Sequence, residues 1–407
     1  MKRWSVPLLI AAGALLAGCT TVAGTTSSGG GMTGTAMPPG CGSDPALGAL
    51  VIAVAGHANS PSPEVSTEMV ASMERAARHD TSIGIVGIDG DPRLVSATKF
   101  STSAGNGPSY DDDLRQFLDG GRSAIGAVRA KEPHADYLRA LQVSADAVRA
   151  GCPEGGQIVL QGAGLQDVPP VDFTADGLLD ADPAEVAEFL RAHDSLPDLR
   201  GIRVVFNGIG ETRAPQEKLD QASRNNLVAI WKAIAAAAGA TDAVLDTAPR
   251  GREAPTDVPA VTPASAPAPL TFPGGCSIRD FRLPDAGPLG FQPNVAVFRD
   301  RQAASAVAGQ LANAVQACPG ARISLLGATS SFGELTPEGD RTRRDLSRER
   351  ARAVAALLVA SGVEAARIET AGDGYHFPGY VRDRDDQGVL LPGPAEQNRC
   401  VLVSVAR

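Results

Sequence analysis

The chain has 407 residues, enough for two or three domains and too many for one ordinary core. Hydrophobic residues at 43% and charged residues at 20% make a globular composition, and 4% aromatics leave no Trp and Tyr girdles for a membrane barrel. A formal net charge of −9 disfavours a non-specific nucleic-acid binder, which needs a basic excess.

The chain opens with the basic Met1-Lys2-Arg3, followed by an apolar run from Val6 to Ala17 and then Leu16-Ala17-Gly18-Cys19. A run of about a dozen apolar residues is too short to span roughly 30 Å of hydrocarbon as a helix. The arrangement resembles a bacterial lipoprotein signal. The resemblance implies a signal peptide over residues 1–18, removed on export, and a palmitate-bearing lipid on the Cys19 thiol. It also implies an extracytoplasmic protein held by that lipid to the cell membrane or outer membrane. Residues 19–43 then form a flexible tether, because residues 20 to 40 are Thr, Ser, Gly and Met with almost no charge.

Residues 44–246 read as alternating strands and helices. Short β-branched or apolar runs predict strands at Ala49 to Ala55, Ile83 to Ile88, Leu94 to Phe100, Ile158 to Gln161 and Ile202 to Phe206. Helical periodicity covers 64–79, 110–150, 183–193 and 215–239. Asp182-Pro183 supplies a cap and a first-turn proline, and Gly239 a stop. The expected fold is a doubly wound α/β sheet covered on both faces.

Residues 247–272 hold Pro249, Pro255, Pro259, Pro263, Pro267 and Pro269 among Ala, Thr and Ser. This composition predicts a Pro-rich linker that few contacts cross. Residues 273–407 form the last domain, α+β in class, with the order β-α-β-α-β-β. Its strands are expected at Phe291 to Ala296, Arg322 to Leu326, Ile368 to Ala371 and Asn398 to Val405. Its helices are expected at 300–317 and from about Asp345 to Ser361.

Export permits disulfides. Cys41 and Cys152 fall in the first domain, Cys276 and Cys318 in the next, and bridges are predicted within each pair. Cys400 reads as a small buried thiol, with pairing of Cys318 to Cys400 as the competing arrangement. None of the cysteines has zinc spacing.

Four segments of the last domain match one known family in order. They are Phe291-Gln292-Pro293-Asn294-Val295-Ala296, Gly327-Ala328-Thr329 with Gly333, Leu346-Ser347-Arg348-Glu349-Arg350-Ala351 with Val354, and Gly372-Asp373-Gly374 followed by Asn398-Arg399. The domain resembles the OmpA-like peptidoglycan-binding family. The resemblance implies non-covalent grip on the peptidoglycan stem peptide, whose diaminopimelate offers a carboxylate and an ammonium. An Arg on the long helix takes the carboxylate and an Asp after the second strand takes the ammonium. A planar guanidinium fork suits the first task. Arg350 falls on the family Arg, and the family Asp falls on Ser330. The preceding His falls on Ala328 and the helix-start Asn on Arg343. Thr329 joins Arg350, Ser330 and Arg343 as expected contacts. A neutral Ser in place of the acid weakens an ammonium contact by about tenfold. With Arg343 added, the balance shifts toward anionic ligands.

The first domain bears a weaker resemblance to von Willebrand factor A-like α/β domains. Their metal-holding Asp-x-Ser-x-Ser is replaced by Ala55-Gly56-His57-Ala58-Asn59-Ser60, which lacks the aspartate, so no metal is expected. Asn59 and Ser60 read as caps of the following helix, with lining a surface as the other reading. No nucleophile elbow or dinucleotide loop is present, so neither an enzyme nor a cofactor is expected. The sequence therefore points to an envelope lipoprotein linking membrane to peptidoglycan, with an envelope protein as a further partner for residues 44–246. The alternative is a protein-interaction scaffold whose last domain, with Ser330 for the acid, has lost wall binding.

Overall fold

A computed structural model describes residues 47–248, 253–264, 270–272 and 278–406, together with Cys41, Asp44 and Cys276. Cys19, the leader and all of the tether but Cys41 lie outside the described residues, as does part of the Pro-rich segment.

The first sheet begins with β1 (Ala49–Ala55), a seven-residue run buried throughout. Alternate side chains serve two cores. Ala49, Val51, Ala53 and Ala55 join one, and Leu50, Ile52 and Val54 the other. A strand buried on both faces needs helices on both. These are α1 (Thr67–Arg78) and α2 (Pro108–Gly126) on one side, with α3 (Tyr137–Gly151) and two later helices on the other. Between them run β2 (Ser82–Ile88), the antiparallel β3 (Arg93–Lys99) and β4 (Gly156–Gln161). A two-residue hairpin, β5 (Asp167–Val168) and β6 (Val171–Asp172), leads to α4 (Pro183–Ala192). Then come β7 (Ile202–Asn207), α5 (Gln221–Ala237) and β8 (Asp242–Asp246). The sheet order is β3-β2-β1-β4-β7-β8, parallel except at β3, so the expected doubly wound α/β sheet is present.

Capping chemistry sets several helix starts. Ser66 accepts from Met69 N at 3.2 Å, Asp136 from Arg139 N at 2.9 Å, and Asp220 from Ser223 N at 2.7 Å. The cap of α1 is thus Ser66, and the expected role of Asn59 and Ser60 as caps is corrected. The single helix expected over 110–150 divides into α2 and α3, with Pro133 in the break.

The Pro-rich segment departs from expectation more sharply. Residues 253–264 do not run free of contacts but lie against the loops that follow β1 and β7 and against β5. Asn59 donates to Val261 O at 3.0 Å and accepts from Val261 N at 3.0 Å. Gln216 makes the same two-way pair with Ala264, and Thr262 N donates to Asp167 at 3.1 Å. Val261 and Ala264 are buried in the first core. Side-chain amides can bond a backbone in both directions, which gives an extended proline-rich chain the partners its own residues lack. The strap crosses the region after β1 and β4, where strand order reverses and doubly wound sheets usually bind ligands. Among the described residues no cluster of His, Cys, Asp and Glu could hold a metal.

The second sheet contains β9 (Ile278–Pro284), β10 (Arg322–Ala328), β11 (Ile368–Gly372) and β12 (Cys400–Ala406), in the order β11-β10-β12-β9. On it pack α6 (Arg301–Gln316) and α7 (Pro337–Ala360), and a short α8 (Pro392–Asn398) precedes β12. The expected order holds with α8 added, but the opening strand is corrected. It is Ile278–Pro284, which pairs with β12, whereas Phe291 to Ala296 is a loop with one isolated bridge, Phe291 to Phe298. The pattern misled because Phe291 and Val295 resemble strand residues, while Pro293-Asn294 makes a turn, with Asn294 at a φ of 57°. α7 begins at the Thr336 cap, well before Asp345.

Cys41 is bonded to Cys152 and Cys276 to Cys318, while Cys400 is a free, buried thiol. Burial pushes that thiol up to about 11. Among the described residues no helix is long and apolar enough to cross a membrane.

Candidate functional site

Close approach of α7 to its sheet places Arg350. At Gly327 in β10 an added Cβ would lie 1.8 Å from Ser347 O, and at Gly372 in β11 one would lie 2.3 Å from Arg348 N. Glycine at both positions lets the helix settle directly on the strands. Leu346, Val354 and Leu358 then face inward, and Arg350 emerges at the sheet end, 5% exposed.

Arg350 lines a cavity of about 520 Å³. Its guanidinium is held loosely. Nε donates to Val295 O at 3.3 Å, Nη2 to Gln292 O at 3.4 Å, and Nη1 lies 3.7 Å from Asp285. Each distance exceeds that of a charge-assisted bond to a well-placed carboxylate, about 2.8 Å. Its carbon centre lies 5.0 Å from the centroid of Phe291. Burial pulls the guanidinium below its ordinary value, partly opposed by Asp285. A buried, under-bonded cation of this kind is stabilised by an incoming anion.

Asp285, directly after β9, organises the same rim. It accepts from Phe291 N at 2.7 Å and lies 3.4 Å from Arg299. Sequence reasoning missed it because the opening strand was placed at 291–296, downstream of the aspartate. The signal was an acid closing a strand whose end adjoins the site.

Thr329 also lines the cavity. It is 1% exposed, and its Oγ1 has no hydrogen-bond partner. Ser330 is fully buried just behind, accepting from Arg399 Nη2 at 3.3 Å. Arg343 does not line the cavity, and its expected contact with ligand is corrected. It donates to Phe332 O at 2.5 Å and Glu334 O at 3.1 Å, pairs with Asp340 at 2.5 Å, and stacks over Tyr375. At 1% exposure it pins the loop after β10 to the start of α7. Seven residues of helix put Arg343 and Arg350 on one face, but the loop folds over the first and not the second.

The Asn398-Arg399 pair divides its work. Asn398 donates to Asp383 at 3.0 Å and accepts from Val381 N at 2.9 Å. Asp383 in turn accepts from Ser331 N at 2.8 Å and Ser331 Oγ at 2.6 Å, tying the two site loops together. Arg399 lines the cavity and pairs with Glu396 at 2.9 Å and, closely, with Glu185. Burial raises Glu396 and disfavours its charge; Arg399 works in the opposite sense.

Glu185 belongs to α4, in the first sheet domain. That helix forms one wall of the cavity through Asp182, Pro183, Ala184 and Glu185. A close contact and a hydrogen bond hold the wall in place. His193 lies 2.8 Å from Asp385, and Gln397 donates to Asp176 O at 2.7 Å. No local sequence signal could have joined these residues to Arg350.

Residues 290–385 match the model of the OmpA family. Similar solved structures include the OmpA-like domain of FopA1 from Francisella tularensis, at 24% identity over 28% of this chain and 68% of that one, with a TM-score of 0.22. The peptidoglycan-associated lipoprotein from Burkholderia pseudomallei is 23% identical over 28% and 86% of the chains, at 0.22. The cell wall anchor of the T6SS from Pseudomonas aeruginosa is 24% identical over 28% and 73%, also at 0.22. No curated protein matches the chain.

Proposed function

We propose that the protein, whose residues 290–385 form an OmpA-family domain, is a cell-envelope lipoprotein that links a membrane to peptidoglycan by non-covalent grip on the stem peptide. One observation carries this reading. The Arg350 guanidinium is buried, incompletely bonded and open to a cavity of about 520 Å³ beside the unpartnered Thr329 hydroxyl. A carboxylate entering there exchanges loose contacts to carbonyls for a bidentate pair. Retention is mechanical and needs no turnover, so the protein acts as a binder and not an enzyme.

The membrane end is the lipid on Cys19, and it places the protein outside the cytoplasm on the cell membrane or outer membrane. Linking a firm lipid attachment to a weaker wall site through one chain raises the effective concentration of the wall site for its target.

The test is retention of the full chain on purified peptidoglycan. Arg350→Ala is expected to reduce retention by about tenfold or more, the worth of a charge-assisted bond. Equal retention of both proteins rejects the Arg350 assignment. If neither is retained, the wall-binding reading fails and the interaction scaffold replaces it. Loss of membrane association in Cys19→Ser checks the lipid.

A further inference from the structure

The missing acid at position 330 raises a specific question: what in this cavity receives a ligand ammonium? The lining answers with a balance of charge. Three acids, Asp182, Glu185 and Asp285, face three bases, Arg299, Arg350 and Arg399. A cavity selective for anions would carry a basic surplus. Equal numbers of acids and bases, already paired as Glu185 with Arg399 and Asp285 with Arg299 and Arg350, let a zwitterion enter without leaving a net charge behind.

Two of the lining groups hold unspent capacity. The Oγ1 of Thr329 is buried without a partner, and so is the Oε2 of Glu185. The other carboxylate oxygen of Glu185 takes Arg399 Nη2, and that same nitrogen bonds Ser330 Oγ at 3.3 Å. Glu185 therefore stands beside Ser330, one guanidinium nitrogen away, at the edge of the space an acid at 330 would serve. Asp182 caps α4 through Ala184 N at 2.8 Å and is already committed. Asp285 is committed to Phe291 N and the arginines. Among the acids that line the cavity, Glu185 is the one with an unpartnered oxygen.

We propose that Glu185, contributed by α4 from outside the OmpA-like domain, is the acceptor for the ligand's ammonium group, with Thr329 Oγ1 as its second oxygen and Arg350 holding the ligand's carboxylate. The proposal rests on the wall-binding reading. It makes the cavity a composite site, complete only when the two domains are docked, and selective for a ligand with a free amine close to a carboxylate.

Retention of the full chain on native peptidoglycan and on peptidoglycan whose free amines have been acetylated tests it. The unaltered protein is expected to lose about tenfold on acetylated wall, and Glu185→Gln about tenfold on native wall with no further loss on acetylation. The double variant Glu185→Gln with Ser330→Asp puts an acid back beside Arg399 and is expected to recover both retention and sensitivity to acetylation. That recovery excludes simple misfolding as the cause of the loss. Undiminished or increased retention by Glu185→Gln, while Arg350→Ala is released, overturns the role of Glu185 and leaves wall binding intact. A gain would mean that α4 obstructs the cavity. Failure of the double variant to recover overturns the proposal as well, and failure of the unaltered chain to bind overturns both readings.

Discussion

Glu185 reaches Arg399 across 214 positions of sequence and closes one side of the cavity that Arg350 lines. The contact joins a helix of the first sheet domain to the closing strand region of the second. It is both a structural tie and a wall of the candidate site, and stability and binding are coupled through it.

Arg399→Ala should expose that coupling. Its guanidinium, 11% exposed, balances Glu185 and Glu396, and Glu396 is 4% exposed. Removing one partner of a buried ion pair costs about 3–5 kcal/mol, because the remaining charge is left without compensation. Thermal denaturation should show a fall of several degrees. Adding Glu396→Gln to Arg399→Ala should return part of the loss, since an amide does not require a counter-cation. An unchanged melting temperature for Arg399→Ala would show that the pair contributes nothing.

Asp180 should impart a pH dependence. Burial, then repulsion from Asp220, raises its carboxyl to about 6 from an ordinary 3.8. The folded state holds the proton more tightly than the unfolded state, so this group adds stability as pH falls through 6 toward 4 and withdraws it as pH rises. Discounted for partial exposure, the swing is about 1–2 kcal/mol. Asp180→Asn should be the more stable protein by that amount at about pH 8 and no different at about pH 4. Denaturant titrations at the two pH values check it, and a difference independent of pH would refute the assignment.

Asn59→Ala should release the strap over the first sheet. Both amide bonds to Val261 disappear, leaving a buried backbone N–H and C=O unpaired at a cost of about 2 kcal/mol. Faster amide exchange at Val261 and Thr262 is expected, with earlier protease cleavage within 253–264. Unaltered exchange there would mean that Gln216 and Asp167 hold the segment by themselves.

Opening the second disulfide should weaken the second sheet domain. The Cys276–Cys318 bridge closes a sequence separation of 42, for which loop-closure entropy amounts to about 4 kcal/mol and measured values to about 2–4. Replacing both cysteines with alanine should lower the denaturant midpoint without changing Cys400, which is separately buried. An unchanged midpoint would argue that the bridge contributes nothing to the stability of that domain.

The elements were largely legible in the sequence. Ala49 to Ala55 and the Asp182-Pro183 helix start are local signals, set by burial period and by backbone groups seeking nearby partners. The errors have local causes too. Phe291 to Ala296 has the look of a strand but contains a turn, and Pro133 breaks what periodicity alone would join. The Arg350 position was equally readable, because its neighbours in the helix motif are one or two turns away.

That Ser330 stands where the resemblance places an acid is visible in the chain, yet its consequence is not. Read alone, Ser330 and Arg343 suggest a site tilted toward anions. In the folded protein Arg343 is turned into a loop, and acids enter from Asp285 and from α4. The same holds for Asn59, whose partner Val261 lies 202 residues away. Periodicity, caps and turns act over a few residues, so sequence by itself determined the elements and the position of the guanidinium. Which charges surround it depends on how α4 of the first domain packs against the second, and only the tertiary structure decided that, because electrostatic partners are chosen by distance in space and not by distance along the chain.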